Sequence, residues 1–302
     1  MNIDALVDQM IILFTIIFLG WACAKLGLLP KNANNVLSAL VVNVTNPCSV
    51  LASVMGGQRV LTTGEVGLLV AVAVGMHLLL LVVGRIVPRL LRVPDAQLGL
   101  YRFMFTFGNM GFLGFPVIKA LYGQQALLLA AIFVLVFQLF SFTYGVSQFG
   151  KGHFRWKKLV NPMIISTVFA FTLYLLNLQP PAIVYRVFDT VGTVTSPAAM
   201  LCIGCALAGV KLGSVFTNWR LYVSSLLKLT VMPVVMFGLC SGWMPNEMML
   251  GVAVTCSAMP TATNTTLLAN LHGGDEGLAA SGVFLSTLMS LVTLPLMLWL
   301  LF

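Results

Sequence analysis

The sequence predicts an all-α membrane protein of ten transmembrane helices, built as two inverted five-helix repeats with broken fourth and ninth helices. Three observations lead there. Of 302 residues, 59% are hydrophobic and only 8% charged, whereas charged residues make up about a quarter of soluble domains. Ten apolar stretches are each long enough to cross a hydrocarbon core of about 30 Å, which takes roughly 20 helical residues. Two of these stretches are interrupted in the middle, and they lie one half-length apart. A β-barrel would show short alternating strands instead.

In chain order, the first span covers residues 5–26. No Lys or Arg precedes it and Asp4 and Asp8 stand at its start, so the basic n-region of a cleaved signal peptide is missing and the span is expected to stay. The second, 34–54, carries Asn43 and an Asn46-Pro47 interruption; the third, 67–87, holds His77 near its centre. The fourth, 95–122, is broken over 108–116 by a Gly-rich run ending in Pro116, and the fifth, 125–148, contains Gln138. A basic connection, 149–158, links the halves. The sixth span is 159–178, and the seventh, 182–210, carries Ser196-Pro197 and the Cys202/Cys205 pair. The eighth, 221–240, contains Lys228; the ninth, 246–271, is broken over 258–264 around Pro260; the tenth is 277–302. The expected domains are therefore 1–148, the linker 149–158 and 159–302.

Charge placement sets the orientation. With alternating spans, Lys25, Lys31, Arg85, Arg89, Arg92, Lys151, Arg155, Lys157, Lys158, Lys211 and Arg220 fall on one side, and Arg59 and Lys119 on the other. The positive-inside rule puts both termini on the non-cytoplasmic face of the cell membrane and the 149–158 loop inside. The net charge of +8 thus follows from topology rather than from a nucleic-acid partner. The short connections leave no room for a soluble catalytic or nucleic-acid-binding domain, so function must be built from the spans.

The halves echo each other. An offset of 150 brings Pro30 onto Pro180 and Pro47 onto Pro197; an offset of 151 brings Pro94 onto Pro245 and Gly123 onto Gly274. Five spans per half force the second to enter the membrane upside down, the plan of many secondary transporters.

A helix that stops near the midplane leaves carbonyls at its end, and the half-helix beyond the gap presents N–H groups and a partial positive charge. That suits an anion. Gly111 and Gly114 are expected to allow unusual backbone, and Pro116 lacks the N–H that would continue the ladder. Asn109, Thr261, Thr263, Asn264 and Thr265 add polar side chains; Asn43 and Asn46 are secondary candidates. These groups either hold a carboxylate or re-satisfy the broken backbone and join helices. The break-forming residues are Gly114, Pro116, Pro260, Pro47 and Pro197.

An ionisable residue at a helix centre costs about 2.5–3.5 kcal/mol on insertion scales. Arg102 and Lys228 lie within snorkelling reach of the cytoplasmic interface, or attract an anion into an inward-open cavity. His77 reads as a proton relay or as a hydrogen-bonded packing residue. The two cysteines of the C-x-x-C read as small helix residues, since no second ligand pair accompanies them. There is no H-E-x-x-H, G-x-S-x-G or Walker loop and no cofactor motif, so neither an enzyme nor a metal site is expected.

The run FGNMGFLGFPV over 107–117, AMPTATN over 258–264 and the closing ASGVFLSTLMSLVTLPLMLWLL over 280–301 resemble a bacterial member of the auxin efflux carrier family. That family is related to the plant PIN-type auxin exporters and to the bile-acid/sodium symporters. The resemblance covers the whole chain. It implies broken fourth and ninth helices that cross at the substrate site, with Asn109, Pro116 and Pro260 at or beside the crossing, and it implies a homodimer. It also implies a small carboxylate substrate such as malate or malonate, or an auxin-like aromatic carboxylate. The long cytoplasmic loop of the plant exporters is absent here. The expected function is alternating-access transport of a small organic anion. Proton coupling, sodium coupling and uniport all remain open at this point. A ligand-binding receptor using the same crossing is the alternative, with a membrane enzyme third.

Overall fold

A computed structural model of the chain describes residues 3–30, 32–56, 61–149, 162–209, 218–271 and 274–302. Residues 150–158 of the expected linker, with Lys31, Arg59 and Lys211, lie outside the described residues. Among those described, six helical stretches are long and apolar enough to cross a membrane: Ala33–Met55, Gly64–Leu90, Ala126–Gly145, Ala182–Ala208, Trp219–Cys240 and Glu276–Leu301. Shorter apolar helices accompany them at Ile11–Lys25, Met110–Tyr122, Pro162–Leu175 and Glu247–Ser257.

The helices are α1 (Ile3–Lys25), α2 (Ala33–Leu40), α3 (Asn46–Met55), α4 (Thr63–Leu90), α5 (Asp95–Thr106), α6 (Phe115–Tyr122) and α7 (Ala126–Phe140). In the second half they are α8 (Pro162–Leu175), α9 (Ala182–Thr193), α10 (Thr195–Ala208), α11 (Trp219–Cys240), α12 (Glu247–Ser257), α13 (Thr265–Leu271) and α14 (Glu276–Leu301). Their ends carry the expected signals. Thr62 and Glu65 form a reciprocal capping box on α4, Asn246 Oδ1 accepts the Met248 N–H at the start of α12, and Asp275 Oδ1 accepts the Leu278 N–H of α14.

The prolines of the second spans do not open gaps. A π-helical turn, Val41–Thr45, runs straight into α3, and Thr45 and Asn46 keep right-handed helical backbone. The wide turn absorbs the hydrogen bond that Pro47 cannot donate. At the corresponding place, Val194 is helical between α9 and α10, and the Ala198 N–H bonds its carbonyl across Pro197 at 3.0 Å. Pro47 is buried and Pro197 exposed. The expected interruptions are therefore not gaps: helical backbone runs on past both prolines.

Packing sorts the helices into two groups. In one, α1 lies along α10, α2 packs on α10, and α3 on α8 and α9. In the other, α4 packs on α5 and α7, while α11 packs on α12 and α14. The first group is held by close backbone approach: a Cβ on Gly204 would lie 2.1 Å from the Ile17 carbonyl oxygen, and one on Gly20 would lie 2.6 Å from that of Leu201. Small residues let transmembrane helices approach this closely, which replaces the missing hydrophobic drive with dispersion contacts.

Candidate functional site

The helical ladder of the fourth stretch ends at Thr106, where α5 stops. Phe107 is extended (φ −100°, ψ 109°) and Asn109 is non-helical (φ −79°, ψ 58°). Helix resumes through the π-helical turn Met110–Gly114 and α6. In the ninth stretch α12 ends at Ser257 and α13 begins at Thr265.

The two gaps meet. The Asn109 N–H donates to the Pro260 carbonyl at 2.7 Å, and the Ala262 N–H donates to the Phe107 carbonyl at 3.0 Å. Between these bonds Gly108 and Thr261 form an antiparallel bridge. A backbone that leaves helical form inside a membrane must find partners within the protein, and here each break supplies them to the other. A Cβ on Gly108 would sit 3.1 Å from Met259 Cβ, so the absent side chain admits the neighbouring strand.

Further bonds brace the crossing. Thr261 gives its hydroxyl to the Met104 carbonyl at 3.1 Å, and its N–H reaches Ser286 Oγ at 3.1 Å. Lys228, from α11, donates to the Met104 carbonyl at 2.8 Å and the Phe107 carbonyl at 3.1 Å. Its side chain is only 2% exposed, so it does not snorkel to the interface as its depth suggested. Ser224, Ser225 and Lys228 share one face of α11 by their spacing, a polar stripe that was the available sign of an inward-facing lysine. A cavity of about 10 Å³, lined by Met104, Leu221, Ser224, Ser225, Lys228 and Thr261 among others, lies beside these contacts. That is room for one water molecule.

Other polar groups at and around the breaks are less occupied. Asn109 Oδ1 accepts the Phe112 N–H at 3.3 Å and so caps the resumed helix, but its Nδ2 is buried with no partner. Asn46 Nδ2 donates to the Gly111 carbonyl at 3.4 Å, and Asn46 Oδ1 is buried and unpartnered, as is Asn264 Oδ1. A Cβ on Gly111 would meet nothing within 4 Å, so this backbone faces open space. Neither Gly111 nor Gly114 takes a positive φ; both belong to the π-helical turn, and Gly114 is helical at φ −63°, ψ −47°. The expectation of unusual glycine backbone is thereby corrected: bare surface, not left-handed geometry, is what Gly111 supplies.

Of the other candidates, Pro116 is buried at the start of α6, and Pro260 is buried. Thr263 is partly exposed, with its carbonyl accepting from Thr266 Oγ1 at 3.2 Å. Thr265 is fully buried and bonds the Ala262 carbonyl. Asn43 is exposed. Gln138 is buried in α7. Arg102 is partly buried and reaches Gln148 Oε1 at 3.5 Å. His77 is fully buried; its Nδ1 donates to the Ala73 carbonyl at 2.8 Å, its ring stacks on Phe140, and its Nε2 has no partner. Among the described residues no cluster of three His, Cys, Asp or Glu is positioned to hold a metal.

The profile of the family described as membrane transport protein matches the chain twice, over residues 5–153 and 151–298. An uncharacterized transporter of Methanocaldococcus jannaschii is 25% identical over 313 aligned residues, covering 97% of this chain and 98% of its own. A Rhizobium meliloti protein named "Putative malonate transporter" is 24% identical over 302 aligned residues, covering 95% and 93%. An uncharacterized transporter of Methanothermobacter thermautotrophicus is 26% identical over 201 residues, 62% of this chain and 63% of its own.

Proposed function

Two matches to one profile, together running from residue 5 to 298, make the chain a member of the auxin efflux carrier family of membrane transport proteins, and from that membership we propose a secondary carrier for a small organic anion. Malonate or a similar short carboxylate is the preferred substrate, in keeping with the name of the Rhizobium meliloti relative. The carrier has ten transmembrane helices in two inverted five-helix repeats, 1–148 and 159–302, joined by a cytoplasmic linker. Both termini face away from the cytoplasm.

The observation that carries this reading is the unpartnered Asn109 Nδ2 beside a break that is otherwise satisfied. A buried amide donor costs about 1–3 kcal/mol when it lacks an acceptor, and a carboxylate entering from the open space at Gly111 would supply one. The start of the resumed helix adds favourable N–H dipoles. No Asp or Glu is among the buried residues described, so nothing there repels an anion. Asn46 and Asn264, with free amide oxygens, suit a protonated or hydroxyl-bearing part of the substrate. Thr261, Pro260, Pro116 and Gly114 hold the crossing in shape.

The two packing groups support alternating access as the mechanism of this carrier. The group of α4, α5, α7, α11, α12 and α14 carries the crossing, and it moves against the group built on α1 and α10. The test is uptake of radiolabelled malonate into proteoliposomes, with malate, lactate and indole-3-acetate as competitors, under separately imposed potential, proton and sodium gradients. Saturable uptake blocked by a competitor is expected. No flux of any of the four compounds when each is labelled in turn would overturn the carrier reading.

A further inference from the structure

We propose that Lys228 is a cation built into the crossing, an ammonium tethered where a carrier of this plan would otherwise bind a coupling cation, so that anion transport proceeds without sodium. The inference deepens the carrier reading and rests on it for its transport arm.

The half-helix α5 stops inside the protein, and its last carbonyls have no partner within the helix. They also carry the negative end of the helix dipole. The carbonyl of Met104, in the last turn of α5, and that of Phe107, the extended residue that follows the helix, converge on one point, at 2.8 and 3.1 Å from Lys228 Nζ. Carbonyls from the end of a broken half-helix are the donor set that transporters use for an alkali cation. Here a side chain fills that place.

The charge balance supports the assignment. Lys228 is the one Lys or Arg buried among the described residues, and no Asp or Glu is buried there. The countercharge is therefore the carbonyl end of α5 rather than an acid. His77, also buried and carried on α4, is a titratable group that faces the ammonium; its Nδ1 is spent on Ala73. Because α11 packs on α12 and α14, the cation stays with the crossing. A free cation must bind and leave in each cycle, whereas a tethered one stabilises the break permanently and contributes nothing to coupling.

Two measurements test this. In proteoliposomes, wild-type malonate uptake is expected to be unchanged when sodium is replaced by choline on both sides. Lys228→Met should lower uptake at least about tenfold, the loss expected when a charged donor is withdrawn from buried acceptors. Lys228→Arg should retain more uptake than Lys228→Met, and methylammonium should restore part of the activity of Lys228→Ala. In detergent, without any flux, NaCl or methylammonium chloride should raise the melting temperature of Lys228→Ala above its value in choline chloride, while leaving the wild type unmoved. Sodium-dependent uptake or sodium-dependent melting of the wild type would overturn the proposal, as would wild-type uptake by Lys228→Met. So would a folded Lys228→Ala that neither cation stabilises. The wild-type arms stand even if a variant fails to fold. Absence of wild-type flux would strike the carrier reading alone, since the melting arm needs no transport.

Discussion

Gly108 and Thr261 face each other as an antiparallel bridge, with the Asn109 N–H to Pro260 carbonyl bond on one side and the Ala262 N–H to Phe107 carbonyl bond on the other. The two breaks are therefore one structural unit. Each supplies the other with backbone partners that the break has freed, so a change in either is expected to be felt at both.

Asn109 has two separable tasks. Its Oδ1 caps the Phe112 N–H, while its Nδ2 is free for a substrate. Asn109→Ala removes both, and loss of the cap costs about 1 kcal/mol of stability. Asn109→Ser keeps a capping oxygen and removes Nδ2; the serine hydroxyl can also donate, but it sits one atom closer to the backbone and does not reach where Nδ2 reaches. Both variants are expected to raise the half-saturation concentration for malonate about tenfold or more, the loss of one hydrogen bond to a charged group. Only the alanine variant should also melt earlier in detergent. Unchanged uptake kinetics in the serine variant would remove Asn109 from the substrate site.

The broken spans were legible because helix-breaking residues interrupt apolar runs long enough to cross a membrane: three Gly and a Pro within 108–116, and a Pro among Thr and Asn within 258–264. Their mutual pairing was not, because backbone bonds between residues 107–109 and 260–262 leave no signature in side-chain identity. The sequence left Lys228 between two readings for a related reason: depth along a helix is countable, but which neighbour its face meets is a tertiary property. Pro47 and Pro197 were overread, since a proline signals a lost hydrogen bond and not whether the helical backbone runs on past it.

Orientation is testable without substrate. The basic residues Arg85, Arg89 and Arg92 end or follow α4, and Arg220 begins α11; on the positive-inside rule these ends are cytoplasmic, which leaves the C-terminus of α14 outside. Alkaline phosphatase fused after Phe302 should be active in a bacterial host, and green fluorescent protein at the same place should be dark. The reverse pattern would invert the proposed topology.

The α1–α10 contact should be intolerant of any side chain at Gly204. A Cβ there would lie 2.1 Å from the Ile17 carbonyl oxygen and 2.7 Å from the Trp21 nitrogen, and neither backbone atom can swing aside. Gly204→Val is expected to cost at least the roughly 1–3 kcal/mol of an overpacked core, visible as a lower melting temperature and a reduced yield of monodisperse protein. Gly238→Ala, where a Cβ meets nothing within 4 Å, is the control and should melt with the wild type. Equal melting of both variants would mean that α1 and α10 do not pack through this glycine.

Pro260 keeps the ninth stretch broken. It has no N–H to return to α12, and alanine in a helix interior is favoured over proline by about 3 kcal/mol. Pro260→Ala should therefore let α12 extend beyond Ser257, turning the residue-260 carbonyl away from the Asn109 N–H that it accepts at 2.7 Å. An orphaned buried N–H then costs about 1–3 kcal/mol, and the substrate-side geometry of Asn109 is lost with it. Maximal malonate uptake should fall at least about tenfold while the protein still purifies as a folded species. Normal turnover in this variant would mean that the bridge between Gly108 and Thr261 survives without the proline, and that the break is set by the remaining residues of 258–264.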